Sequence, residues 1–230
     1  MTAVLLMRHG QIVQEPQAKD GAHRFVGDRD LPLDDAGRRQ ALEAGRILAA
    51  LGPGLSLRRA VSSDLSRSVE TLALAVGALD PAPLLRAEPG LREICIGEWQ
   101  GLYPEEVRKL TPGGFAARGA DLAGYRPPGG ENFNDVTARA MAALTSLARE
   151  AETAGDDVGG GVTLAVAHAG VNRAVLCAAL DLPLSRVLAL PQDYGCLNLL
   201  FWRGGRFEVR AVNLCPAALA PGWLAAYLGI

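Results

Sequence analysis

The sequence predicts an α/β fold: a mixed, mostly parallel sheet with an antiparallel edge, covered by helices on both faces. Three observations carry this. Short continuous apolar runs alternate with segments of helical period, as strands joined by crossover helices do. Two of the runs, LLMRHG (5–10) and LAVAHAG (164–170), end in a histidine followed closely by glycine. Near the end, CLNLLFW and RFEVRAV (196–202 and 206–212), joined by RGG, read as a closing antiparallel hairpin.

Each element follows in order. AVLLM (3–7) is a buried strand, and residues 11–33, rich in Gln, Asp, Gly and Pro, form a long loop. Residues 34–51 place Ala41, Ala44, Ile47, Leu48 and Leu51 at helical spacing, with Asp34 or Asp35 as N-cap. RAVSS (59–63) is a second strand, and 64–79 is a helix capped by Asp64. A third strand lies near LLRAE (84–88). Residues 89–130 are irregular, with a short helix near 104–110, and 130–152 form a long helix. GDDVGGG (155–161) lacks the G-x-G-x-x-G order and precedes a strand, which argues against a dinucleotide site. VTLAVAH (162–168) is the clearest central strand, 170–180 a helix, and WLAAYLGI a short helix or coil. No repeat or linker interrupts this pattern, so the reading is one domain over 1–230 with an irregular lid or insert at about 98–130.

A net charge of −2 gives no general nucleic-acid or polybasic membrane surface. Cys95, Cys177, Cys196 and Cys215 have no C-x-x-C or metal-ligand spacing, and read as free thiols of a cytoplasmic protein. The apolar run at 3–7 is too short for a signal segment, and no stretch approaches the roughly 20 apolar residues of a membrane helix. The hairpin edge could pair with a second copy, so a homo-oligomer is compatible with the sequence.

Ligands of open α/β sheets bind beyond the carboxyl ends of the strands. Here those ends carry Arg8 and His9, then SSDLSR with Arg67, then His168. If the strands are neighbours, two imidazoles and two guanidiniums converge on an anion. Phosphate fits best: two guanidinium forks and an imidazolium grip the equatorial oxygens of a phosphoryl group in flight. That leaves one imidazole as nucleophile, and His9, beside the turn at Gly10, is the choice. His23 reads as a surface residue.

The chain resembles the histidine phosphatase superfamily, the phosphoglycerate mutase-like family. The matching pieces are LLMRHG (5–10), RFVGDRDLPLDDAGRRQA (24–41), VSSDLSRSVETLALA (61–75), LREICIGEWQGL (91–102), PGGENFNDVTARA (128–140) and VAHAGVNRAV (166–175). The resemblance implies a three-layer α/β/α fold, a phosphohistidine intermediate, no metal and no cofactor. It implies His9 as nucleophile, Arg8, Arg67 and His168 as the phosphate pocket, and Glu93 as proton donor, with Glu98 the local rival. Chemistry agrees that an acid is needed. The leaving alkoxide must gain a proton and the attacking water must lose one, and a carboxyl group in a mobile segment over the pocket can do both.

The match departs from the family after Arg-His-Gly, where Glu-Thr and a nearby Asn are usual. This chain has QIVQEPQ (11–17). Ile12 donates no hydrogen bond, a glutamate at 15 would repel phosphate, and Gln11 or Gln14 would have to supply the missing contact. Gly27, inside the matched 24–41 piece, joins the phosphate-binding candidates. Arg24, Trp99, Tyr103 and Arg126 are candidates for the rest of the substrate. The resulting expectation is a phosphatase acting on a small phosphorylated metabolite, of the kind that includes α-ribazole phosphatases. A cofactor-dependent phosphoglycerate mutase, or a weakly active phosphate-binding regulator, is the alternative.

Overall fold

The computed structural model describes residues 2–51, 57–81, 83–153 and 161–228. The chain runs β1 (Thr2–Arg8), α1 (Asp35–Ala50), β2 (Leu57–Ser62), α2 (Ser66–Val76), β3 (Leu85–Ala87), α3 (Pro104–Leu110), α4 (Gly114–Ala120), α5 (Phe133–Thr153), β4 (Val162–Ala167), α6 (Ala169–Ala179), β5 (Leu197–Arg203), β6 (Arg206–Leu214) and α7 (Pro221–Leu228). The strands form one sheet in the order β3-β2-β4-β1-β5-β6. The first four are parallel, and β5 and β6 add the antiparallel edge.

Strand alternation sorts the core into two layers. Val4 and Leu6 of β1, with Ala165 and Ala167 of β4, pack against α5 and α6. Ala3, Leu5 and Met7, with Leu164 and Val166, pack on the other face against α1, α2 and α7. Both faces of β1 and β4 are covered, which is why these strands read as unbroken apolar runs rather than as alternating ones. Three layers of helix, sheet and helix result, as the resemblance implies.

Two elements differ from expectation. Asp64 does not cap α2; it pairs instead with Arg92 at 3.3 Å. The cap comes from the distant loop, where Asp30 accepts from both the N–H and the hydroxyl of Ser66, at 2.8 and 2.7 Å. The irregular stretch holds a second short helix, α4, which flanking glycines conceal in the sequence. Phe25, Trp99, Phe115 and Tyr125 stack between this stretch and the 11–33 loop, at centroid distances of 5.7–6.3 Å. Residues 155–160 of the glycine-rich stretch lie outside the described residues. Among the described residues, no helix is long and apolar enough to cross a membrane. All four cysteines are free.

Candidate active site

Sheet register brings the two histidines together. Arg8 of β1 stands opposite Ala167 of β4, so the next residue of each strand, His9 and His168, emerges side by side. Their ring centroids are 5.0 Å apart, and both rings are buried. The backbone N–H of Ser63, just past the end of β2, donates to Val166, which brings a third strand end into the same cluster.

The hydrogen bonds assign both tautomers. His9 Nδ1 lies 2.7 Å from the Gly10 carbonyl, which only accepts. Nδ1 therefore carries the proton, and Nε2 keeps a lone pair. His168 has the opposite arrangement. Its Nδ1 accepts from Arg67 Nε at 3.3 Å, so its Nε2–H points at the hydroxyls of Ser63 and Ser68, at 2.7 and 3.3 Å. Burial, then Arg67 and Arg8, push the pKa of His9 well below the usual histidine value, against a smaller opposing pull from the Gly10 carbonyl. Burial, then His9 and Arg67, do the same to His168. In the ligand-free pocket burial and the neighbouring cations thus favour the neutral form of both rings, and an imidazolium at His168 would need the charge of a bound phosphate beside it.

Gly10 matters for close approach. A Cβ there would lie 2.3 Å from the carbonyl oxygen of Gly37 in α1. Thr71 Oγ1 accepts the Gly10 N–H at 3.1 Å and donates to the Arg67 carbonyl at 2.7 Å, which ties the nucleophile's turn to α2.

Arg67, 1% exposed, is braced on three sides. Besides His168, its Nη1 and Nη2 donate to the carbonyls of Arg29 and Gly27 at 2.5 and 3.2 Å. Gly27 therefore enters the site through its carbonyl, as an acceptor for Arg67. Arg8 Nη1 donates to the Gln192 carbonyl at 2.5 Å, and its guanidinium carbon sits 3.6 Å over the Tyr194 ring. Arg8 Nε is buried with no partner among the described residues. A buried donor of this kind is costly unless it meets an acceptor, and it lies beside the nucleophile.

Glu93 lies where α6 begins. One carboxylate oxygen accepts the Gly170 N–H at 3.1 Å, and the other accepts the Ile94 N–H at 2.9 Å. A Cβ on Gly170 would come within 2.5 Å of that carboxylate. Burial lowers the pKa of Arg67, and Glu93 is foremost among the neighbouring groups that oppose this. The segment carrying Glu93 is pinned rather than loose. Arg139 of α5 donates to the carbonyls of Gly90, Arg92 and Glu93 and to the carboxylate of Glu131. Glu98, the rival acid, is exposed.

Other candidates are placed elsewhere. The Gln11 side chain donates to Asp34 at 2.9 Å, drawn to the carboxylate that caps α1, so it does not face phosphate. The Gln14 side chain returns to the Ile12 carbonyl. Glu15, the feared repulsive group, forms a two-point pair with Arg29 at 2.8 and 2.9 Å. Arg24 lies on the Tyr103 ring, 4.0 Å from its centroid, beside a cavity described below. Trp99 is fully buried, donating to Thr111, and Arg126 pairs with Asp135.

Sequence reasoning missed Ser63, Ser68, Thr71, Arg139 and Tyr194. It also missed a buried amide cluster. Asn198 donates to Gln192 at 3.0 Å and to the Leu6 carbonyl at 2.9 Å, and Asn172 donates to Gln192 at 3.0 Å. This cluster fixes the Gln192 backbone that holds Arg8. Asn198 inside the apolar run LNLLFW was the available signal, since a buried amide in a strand requires partners.

The profile of the histidine phosphatase superfamily (branch 1) matches residues 4–214. A glucosyl-3-phosphoglycerate phosphatase of Mycolicibacterium vanbaalenii is 34% identical over 180 residues, covering 78% of this chain and 75% of the relative. A metal-independent phosphoserine phosphatase of Arabidopsis thaliana is 30% identical, covering 76% and 67%. Among solved structures, a mycobacterial glucosyl-3-phosphoglycerate phosphatase with inorganic phosphate superposes with a TM-score of 0.73 at 29% identity, covering 95% of this chain and all of that one (100%). The α-ribazole phosphatase of Shigella flexneri, at 21% identity and a TM-score of 0.74 over 92% and 96% of the chains, shares the fold.

Proposed function

The chain belongs to the histidine phosphatase superfamily, and from that premise we propose that it hydrolyses a small phosphomonoester through a phosphohistidine on His9, without a metal ion. The observation that carries this reading is the pairing of neutral His9 with Arg67 and Arg8. A nucleophile whose Nε2 lone pair is free stands beside two guanidiniums, with a buried histidine locking one of them in place.

In this reading, His9 Nε2 attacks phosphorus and the ester P–O bond breaks. The departing alkoxide takes a proton from the Glu93 carboxyl. Water then attacks the phosphohistidine, Glu93 takes its proton, the P–N bond breaks and inorganic phosphate leaves. Arg8 and Arg67 stabilise the charge that spreads over the equatorial oxygens. His168 acts through Arg67, since its ring nitrogens face Arg67 and the two serines.

The test is a screen of several dozen phosphorylated metabolites with chelator-treated protein, beside His9→Ala. Phosphate release, with an acid-labile, alkali-stable phosphoenzyme absent from His9→Ala, supports the reading. Full activity in His9→Ala removes His9 as nucleophile. Interconversion of phosphoglycerates without phosphate release makes the protein a mutase.

A further inference from the structure

A cavity of about 260 Å³ opens beside the phosphate pocket, and Tyr194 belongs to both. Its ring stands 5.7 Å from the His9 ring and forms one wall of the cavity. The rest of its lining is divided between apolar Ile12, Val13, Val26 and Leu31 and polar Gln14, Glu15, His23 and Arg24. Ile12 is held in that wall by a bridge to Leu33 and is only 6% exposed.

The polar groups on the rim are mostly spent on one another. The Gln14 amide binds the Ile12 carbonyl, Glu15 binds Arg29, and His23 binds Gln17. Arg24 is different. Its Nη1 donates to Gly101 and comes no closer than 3.8 Å to Glu106, while its Nε and Nη2 have no acceptor among the described residues. At about 260 Å³ the cavity is smaller than the roughly 300–1,000 Å³ of pockets that take drug-sized ligands, so the part of the substrate it encloses is compact.

We infer that the alcohol half of the substrate is a compact, largely apolar group, such as a short branched chain or a small ring, that carries an anionic or acceptor group within reach of Arg24. This inference rests on the phosphatase reading and deepens it. A polyol would gain nothing from Ile12, Val13, Val26 and Leu31 and would have to compete for polar groups that are largely committed to one another, a cost an apolar group avoids.

The test compares esters of primary alcohols, so that leaving-group chemistry stays nearly constant and binding decides. 3-Methylbutyl phosphate is set against glycerol 3-phosphate, and 4-phosphooxybutanoate against butyl phosphate. The expected result is a kcat/KM at least about tenfold higher for 3-methylbutyl phosphate than for glycerol 3-phosphate, the scale of one or two well-placed methyl groups. Ile12→Thr and Val13→Ser shrink that ratio, the second at a site exposed enough to leave folding intact. The carboxylate gives a several-fold gain that Arg24→Met removes. Equal rates, a preference for glycerol 3-phosphate, or ratios unmoved in both wall variants overturn the inference. Calorimetry with 3-methylbutylphosphonate and 3,4-dihydroxybutylphosphonate repeats the comparison without turnover. If no ester releases phosphate, the phosphatase reading falls, and phosphonate binding alone then upholds or overturns the apolar subsite.

Discussion

The strand-end pocket and the loop-walled cavity meet at Tyr194 but are built by different rules. In the pocket, positions follow from register: once Arg8 pairs with Ala167, His9 and His168 must emerge together, whatever the loops do. In the cavity, positions follow from isolated pairings between loop residues, such as the ion pair of Glu15 with Arg29 and the backbone bridge of Ile12 with Leu33. The first is buried and cationic, and it holds its histidines neutral. The second is half-open and mostly apolar. The difference separates two jobs: the pocket governs chemistry common to every ester, and the cavity governs which ester enters. Substitutions in the pocket should therefore cost much on every alkyl ester whatever its tail, while substitutions in the cavity should cost little and discriminate between tails.

Beyond the loss of the nucleophile itself, the largest effect should come from Glu93, and it sharpens the comparison by depending on the leaving group alone. Glu93→Gln should lower kcat on alkyl phosphates by roughly 10²–10⁴-fold, the usual span for general acid–base catalysis. 4-Nitrophenyl phosphate, whose leaving group needs no proton, should lose far less in the phosphorylation step. Gly170→Ala should reproduce this pattern more weakly, because its methyl would displace the carboxylate from 2.5 Å away. Burst kinetics with both ester types check this, and equal losses on both would remove Glu93 as the proton donor.

Next is Arg67→Met, expected to cost about 10²–10³-fold in kcat/KM on every ester, the scale for one preorganised donor. A loss confined to some esters would break the division between the two regions, since it would make Arg67 a specificity residue. Ser63→Ala should follow in the same direction with a smaller loss, because it releases the His168 ring that holds Arg67 Nε.

How much of this was legible follows the same division. The strand-end pocket could be read from local sequence, because apolar runs that stop at Arg-His-Gly and His-Ala-Gly reveal both the strand and its terminus. The sheet order then needed only the α/β rule that ligands sit beyond those ends. The cap of α2 was misread because Asp64 is adjacent in sequence, whereas Asp30 reaches Ser66 only after the long loop folds back. Gln11 was misread for a related reason: the Asp34 carboxylate that caps α1 captures its amide. Tyr194 could not be read at all, since its place beside His9 depends on β5 pairing antiparallel with β1 across nearly the whole chain. Register is encoded locally and repeatedly; loop closure is encoded in single pairings that no periodicity announces.

The pH dependence of folding tests whether the pocket's histidines are neutral. Both have folded pKa values lowered below the ordinary 6.5. The unfolded chain therefore binds more protons below that value, and stability present above pH 6.5 is lost as pH falls. Each histidine contributes up to about 1.4 kcal/mol per pH unit in that window. Denaturant midpoints measured from pH 8 to pH 5 should decline below 6.5, and His168→Gln should decline less steeply than the parent protein. A parent protein whose stability is flat from 8 to 5 would contradict neutral, buried rings.

The smallest effect should come from Arg29, where the two regions are coupled. Its carbonyl braces Arg67 in the pocket, while its side chain neutralises Glu15 at the cavity. Arg29→Met leaves the carbonyl in place and removes only the pair. That pair is partly exposed, so its loss should cost only a roughly two- to five-fold drop in kcat/KM, in line with exposed ion pairs. The direction is informative, because a freed Glu15 carboxylate repels anionic esters more than neutral-tailed ones. The drop should therefore be larger for 4-phosphooxybutanoate than for butyl phosphate, and it should shrink as salt screens the repulsion. Glu15→Gln in the same background should restore the lost activity. If instead Arg29→Met costs as much as Arg67→Met on all esters, the loop is part of the catalytic frame and the boundary drawn between the two regions is in the wrong place.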